Sequence, residues 1–70
     1  MKNNIKVERA IKNITQQQLA DSVGVSRQTI NAMELGKYVP STLLALKIAR
    51  CFETSVEKIF QLEDGEYTDL

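Results

Sequence analysis

The chain has 70 residues, 43% of them hydrophobic and 26% charged, with nine Lys and Arg balancing nine Asp and Glu. A chain this short supports a single core, and the composition is typical of a folded domain and not of a disordered one. Its one cysteine, Cys51, excludes an internal disulfide, and the lack of an apolar stretch long enough for a secretory leader or a membrane span predicts a cytoplasmic protein.

The charges are unevenly distributed along the chain. Residues 1–50 carry eight basic and three acidic residues (+5), whereas residues 51–70 carry one basic and six acidic residues (−5). The isoelectric point near 6.2 is not that of a generic nucleic-acid binder. The asymmetry nevertheless predicts a basic working face and a separate acidic end, with ordinary solvated surface charge as the alternative.

The first half of the chain predicts two helices. No segment alternates apolar and polar residues with the period of a strand, so we expect an all-α fold. A first helix covers Asn4 to Lys12 and ends at Asn13, a residue that tolerates the left-handed conformation. A second helix covers Gln16 to Val23, and it starts at the capping-box spacing of Thr15 and Gln18.

A glycine turn leads into the third helix. Gly24 ends the second helix, Val25 supplies an apolar plug, and Ser26 is placed to cap the next helix with its hydroxyl. The third helix then covers Arg27 to Leu35, and Gly36 ends it.

The remaining residues predict two more helices and a tail. Ser41 caps a fourth helix, Thr42 to Phe52, whose apolar residues recur at three- and four-residue steps. A short fifth helix follows the Ser55 cap and runs to the end of the domain, which covers residues 1–62. The acidic and polar residues 63–70 predict a frayed, flexible tail.

Two short helices joined by a tight glycine turn are typical of a helix-turn-helix DNA reader. Their apolar residues point to one shared core and are Leu19, Ala20, Val23, Val25, Ile30 and Met33. A helical hairpin without any DNA function would have the same core. The residues left outside it therefore decide between the two interpretations.

Polar side chains cluster outside the core at the start of the third helix. Arg27 can donate two hydrogen bonds to guanine O6 and N7, and Gln28 and Asn31 can each pair bidentately with adenine. Thr29 adds a methyl group for contact with thymine. Each could be ordinary solvated surface, but their clustering favours base readout.

Phosphate contacts are expected at helix starts, where free backbone N–H groups and the positive end of the helix dipole attract an anion. The loop after the third helix adds a charge and a hydroxyl. The candidates are Gln16, Gln17, Ser26, Lys37, Tyr38 and Ser41. For Ser26 and Ser41, helix capping is the alternative role.

Three segments carry a family resemblance. The chain resembles the Xre family of phage-repressor and Cro-type regulators in three places. These are Thr15-Gln16 through Leu19-Ala20, Val23 to Ile30, and Glu34 to Lys37. The similarity covers about Ile5 to Leu62 and implies a five-helix fold with a helix-turn-helix at the second and third helices.

The resemblance also implies roles for single residues. It places base readers at Arg27 and Gln28, supported by Gln16, and it implies a structural ion pair between Arg9 and Glu34. The sequence departs from the family pattern at Leu35, Leu43 and Glu53. Glu53 stands where a helix-ending glycine is common, and a left-handed conformation there would cost about 1 kcal/mol.

A homodimer on double-stranded DNA is expected, because one recognition helix reads only a few base pairs. The candidate interface is the fifth helix with its flank, through Val56, Phe60 and Leu62. The tail residues Tyr67 and Leu70 are an alternative extension of this contact, although the composition of the tail favours disorder. Phe60 is also expected in the core of the monomer.

Other functional classes have little support in the sequence. The chain has no histidine, no Cys–His pair and no glycine-rich phosphate loop, so an enzyme is not expected. No metal site, cofactor, small-molecule ligand or membrane partner is predicted. The alternative to a DNA-binding regulator is an antitoxin-like or other protein-interaction module with the same fold.

Overall fold

A computed structural model describes residues 1–67, which form five helices and two short strands. In chain order these are β1 (Lys2–Asn3), α1 (Ile5–Lys12), α2 (Gln16–Val23), α3 (Arg27–Glu34), α4 (Thr42–Cys51), α5 (Val56–Ile59) and β2 (Phe60–Gln61). The five predicted helices are confirmed. The fold is thus predominantly helical, with a minimal sheet at one end.

The end of α1 and both ends of α2 follow the predicted chemistry. Asn13 and Gly24 are both left-handed, with φ of 57° and 76°. At the start of α2, the Thr15 hydroxyl accepts a hydrogen bond from the Gln18 N–H, and the Gln18 side chain accepts one from the Thr15 N–H. This reciprocal capping box satisfies backbone donors that a helix start leaves unpaired.

The end of α4 stores backbone strain at Glu53. Its φ is 54°, in the left-handed region that favours glycine. The N–H of Glu53 donates to the Arg50 carbonyl, and the N–H of Thr54 donates to the Ala49 carbonyl. This is the Schellman arrangement, which closes the helix and fixes Glu53 in the unfavourable conformation.

The two strands correct the prediction of a fold without strands. β1 pairs antiparallel with β2, with Lys2 opposite Gln61 and Asn3 opposite Phe60. The fifth helix was expected to continue to the end of the domain, but it ends at Ile59. Phe60 is extended and buried, because the pairing with β1 places its ring in the core.

The core lies between the helices, with α2 packed against both α3 and α4, and α4 packed against α5. Its buried residues are Ile5, Leu19, Ala20, Val23, Ile30, Met33, Leu44, Ala45, Ile48, Ala49, Phe52, Ile59 and Phe60. No helix within residues 1–67 combines the length and the hydropathy needed to cross a membrane. The α2–α3 hairpin therefore packs on a common core that α4 completes.

The predicted tail lies partly outside the described residues, which end at Tyr67. Within the described part, the Met1 ammonium lies 2.6 Å from Glu66 Oε2 and 4.0 Å from Glu63 Oε1. The Glu63 N–H also donates to Glu66. This end of the acidic segment thus lies beside the N-terminus and the β1–β2 pair.

Candidate nucleic-acid interface

The turn between α2 and α3 is tight. The N–H groups of Gly24 and Val25 both donate to the Ala20 carbonyl, at 2.9 and 3.0 Å. Ser26 then caps α3, with its hydroxyl accepting from the Thr29 N–H at 3.2 Å. The Ala20 carbonyl, shared by two N–H groups, closes the end of α2, and the Ser26 side chain caps the start of α3. Together these contacts fix the direction of α3 relative to α2.

The first turns of α3 present polar side chains on one side of the helix. Arg27, Gln28 and Asn31 are exposed, whereas Ile30 and Met33 are fully buried. At about 100° per residue, the three polar positions lie within roughly 100° of one another around the helix. This group is called the α3 polar face below. It points away from the core that α2 and α3 share.

Thr29 does not belong to this face. It lies about 100° further round the helix than Gln28, and it is only partly exposed. Its hydroxyl lies 3.0 Å from the Ser26 hydroxyl, which also caps the helix. Both hydroxyls are thus engaged in holding the start of α3.

An open cleft of about 590 Å³ adjoins the α3 polar face. It is lined by Arg9, Asn13, Ile14, Thr15, Gln16, Gln17 and Arg27. The cleft brings Gln16 and Gln17, at the start of α2, to the same place as Arg27. The Gln17 amide donates to Asp21 at 2.8 Å, which directs its polar end along α2.

A second groove, of about 220 Å³, lies beside the turn. Gly24, Tyr38, Ser41 and Lys47 all line it. Ser41 also caps α4 by accepting from the Leu44 N–H at 3.2 Å. Lys47 was not identified from the sequence, although its place off the apolar stripe of α4 was the available signal. Its ammonium adds a positive charge next to Tyr38 and Ser41.

Arg9 and Glu34 form an ion pair between α1 and the end of α3. Arg9 Nε lies 2.6 Å from Glu34 Oε2, and Arg9 Nη2 lies 3.1 Å from Oε1. The side chains are 15% and 8% exposed, and Arg9 also donates to the Ile14 carbonyl. The pair ties α1, the α1–α2 loop and α3 together, which fixes the base of the α3 polar face.

The Glu34 carboxylate is ionised despite its surroundings. Burial raises its pKa, but hydrogen bonds from Arg9 and Gln16, with the charges of Arg9 and Lys6, outweigh burial and lower the pKa below its ordinary value. The hydrogen bond that Arg9 donates to Glu34 raises the pKa of Arg9 in turn, against the opposing effect of burial. Both groups therefore remain charged at neutral pH.

Gln16 extends this pair to the α3 polar face. Its Nε2 donates to Glu34 Oε1 at 3.0 Å and to Asn31 Oδ1 at 3.1 Å. Sequence reasoning did not find the contact between Gln16 and Asn31. The two residues lie 15 positions apart, and only the crossing of α2 and α3 brings them together.

The predicted dimer residues differ in accessibility. Leu62 is 59% exposed and Val56 is partly buried, but Phe60 is 7% exposed and belongs to the core. The pairing of β2 with β1 turns the Phe60 ring into the core, as expected for the monomer, and a further role of Phe60 in a dimer interface stays a prediction. An apolar groove of about 360 Å³ runs past Val56 and is lined mainly by Met1, Val39, Pro40, Ala45, Leu46 and Phe60.

Comparison with known proteins agrees with this architecture. The Helix-turn-helix family profile matches residues 5–59. An HTH-type transcriptional regulator of Methanocaldococcus jannaschii is 56% identical over 66 residues, covering 94% of this chain and 100% of the relative. Regulators of the same type from Bacillus subtilis and Archaeoglobus fulgidus are each 50% identical, covering 91% and 94% of this chain and 97% and 93% of the relatives. The chain therefore belongs to the Helix-turn-helix family of Xre and Cro-like regulators.

Proposed function

We propose that this protein is a sequence-specific regulator of transcription, acting as a repressor, that binds double-stranded DNA and reads the major groove with α3. The observation that carries the proposal is the α3 polar face, where Arg27, Gln28 and Asn31 are exposed together on a helix held by α2. An α-helix fits the major groove, and these residue types match the donor and acceptor pattern of base edges there. The proposal includes no enzymatic activity and places the protein in the cytoplasm with its DNA.

In this proposal the base contacts come from the first two turns of α3. Arg27 donates to guanine, and Gln28 pairs with adenine. Thr29, which lies beside the α3 polar face and not on it, contributes its methyl group, and Asn31 reads a neighbouring base. Because the helix start is fixed by the Ser26 cap, these side chains reach the groove from a rigid base.

Phosphate contacts surround the base-reading residues. The backbone at the starts of α2 and α4 supplies N–H donors, and Lys37, Tyr38 and Lys47 add charge and a hydroxyl. One groove beside the turn is lined by Tyr38, Ser41 and Lys47. Their proximity supports contacts with the phosphate backbone of the same DNA strand. Such contacts fix the register of α3 but carry no sequence information.

The proposed DNA-bound form is a two-fold homodimer. A second copy is the proposed occupant of the apolar groove beside Val56, where Val39 is 61% and Leu46 55% exposed. Exposed Leu62 extends this surface. Two copies place two α3 helices about one DNA turn apart, at roughly 34–36 Å, and so double the length of sequence read.

The test is alanine substitution on the α3 polar face. Arg27→Ala and Gln28→Ala should each weaken binding to a selected cognate duplex by roughly 1–3 kcal/mol and relax base preference at one position. Lys58→Ala, which removes a positive charge on α5, is the matched control and should leave base preference unchanged. Equal losses on cognate and random duplexes would reject base readout by these residues.

A further inference from the structure

A continuous set of hydrogen bonds joins α1 to the α3 polar face. Arg9 donates to Glu34, and the Gln16 amide donates both to Glu34 Oε1 at 3.0 Å and to Asn31 Oδ1 at 3.1 Å. Gln16 lies at the start of α2, whereas Glu34 and Asn31 lie one turn apart on α3. One side chain on α2 is thus held between two side chains of the recognition helix.

This set of bonds fixes the orientation of both amide groups. An ionised carboxylate only accepts hydrogen bonds, so Gln16 must turn its NH2 group, not its oxygen, towards Glu34. The second hydrogen of that NH2 group is directed to Asn31 Oδ1. Asn31 therefore turns its oxygen towards α2 and its own NH2 group away from it.

We propose that Gln16 is a positioning residue that presents Asn31 to DNA as a hydrogen-bond donor only. The inference rests on the proposed function of the α3 polar face. At the base pair facing Asn31, the protein then selects an acceptor edge, guanine N7 and O6 or thymine O4, over the mixed edge of adenine. Bidentate pairing of Asn31 with adenine would need Asn31 Oδ1 as an acceptor, and a phosphate contact by Gln16 would need its NH2 group as a donor. Both are already used in this network.

The charge on Glu34 keeps the network intact when DNA approaches. Hydrogen bonds to an ionised acceptor are shorter and stronger than those between neutral groups. Glu34 is only 8% exposed at its side chain and is held from the other side by Arg9, so it has little freedom to release Gln16. Gln16, in turn, keeps the same orientation in the free and the bound protein.

The experiment compares four duplexes that differ only at the base pair facing Asn31. That pair is identified as the one at which Asn31→Ala loses discrimination. Wild-type protein should prefer a guanine or thymine acceptor there. Gln16→Ala should lower this discrimination at least about fivefold, while binding to random DNA stays within about twofold of wild type.

Two further variants control for changes in shape. Gln16→Met keeps the length of the side chain without its donors, so it should lose the same discrimination as Gln16→Ala. Gln17→Ala removes an amide that bonds to Asp21 outside the network, and it should leave discrimination unchanged. Nuclear Overhauser contacts between the Gln16 amide hydrogens and Asn31 in the free protein test the geometry without DNA.

The outcomes separate this inference from the proposed function. If Gln16→Ala weakens binding equally on all duplexes, Gln16 is a phosphate contact and the inference is overturned. Base reading by Arg27 and Gln28 would still stand. A wild-type preference for adenine opposite Asn31, or no contact between the two amides in the free protein, would overturn it equally. If the wild-type protein binds no duplex, both the inference and the proposed function fail.

Discussion

Replacing Arg9 with alanine removes the cation that holds α1 against the end of α3. Arg9 makes two hydrogen bonds to Glu34, whose side chain is 8% exposed. Stranding a buried charge costs about 3–5 kcal/mol. In Arg9→Ala, Gln16 still donates to the Glu34 carboxylate, and that carboxylate is not completely buried. We therefore expect a loss at the lower end of this range, about 3 kcal/mol in the free energy of unfolding.

The pH dependence of this loss gives a second test. The folded pKa of Glu34 lies below its ordinary value of 4.5, since hydrogen bonds and charge outweigh burial. A lowered folded pKa contributes stability that is present above the unfolded pKa and is lost as pH falls through the folded pKa. The difference between wild type and Arg9→Ala should therefore narrow once the pH falls below about 4.5.

Urea unfolding followed by circular dichroism, at several pH values between 7 and 3, measures both effects. The double variant Arg9→Ala/Glu34→Ala is the control, because it removes the stranded carboxylate and should recover part of the lost stability. A cost below about 1 kcal/mol, as for a surface ion pair, would show that Arg9→Ala strands no buried charge. A difference in stability that stays constant through the acid range would show that the ionisation of Glu34 does not contribute to the loss.

Three other predictions concern separate parts of the chain. Lys37→Ala should weaken binding to every duplex and lower the slope of log K against log salt by about one, whereas an unchanged slope would remove Lys37 from the phosphate contacts. Glu53→Gly relieves the backbone at φ 54° and should raise the melting temperature by about 2–4 °C over Glu53→Ala, which keeps the strain; equal melting temperatures would contradict this. Truncation after Leu62 removes exposed contacts to the Met1 ammonium and should leave the melting temperature close to that of the full chain, so a large fall would show that the tail packs on the domain.

Features encoded by neighbouring residues could be predicted from the sequence. The capping box of Thr15 and Gln18 and the left-handed turn at Gly24 each depend on a few adjacent positions. The bounds of α2 were therefore predicted as observed. The left-handed Glu53 followed from the resemblance, because a family glycine marks the conformation that the chain must adopt there.

The β1–β2 pair could not be predicted, because two-residue strands show no measurable alternation. The Ser55 cap predicted an α5 that continued to the end of the domain at residue 62, but pairing with Asn3 makes Phe60 extended and buries it. Local propensity was overridden by a contact between the two ends of the chain.

The candidate site shows the same limit. The chemistry of Arg27 and Gln28 and their place beyond the turn follow from the sequence. The contact of Gln16 with Asn31 depends on how α2 crosses α3, and no local pattern encodes that crossing. The grouping of Lys47 with Tyr38 and Ser41 depends in the same way on the path of the loop before α4.

Selection of bound fragments from a random pool of duplex DNA, at low and moderate salt, tests whether this protein reads base sequence with α3. We expect enrichment of one sequence made of two similar half-sites with centres about 10 base pairs apart. Arg27→Ala should lose preference at one position in each half-site. Recovery of no common sequence, or failure of any duplex to compete for the protein at low salt, would show that α3 does not read DNA.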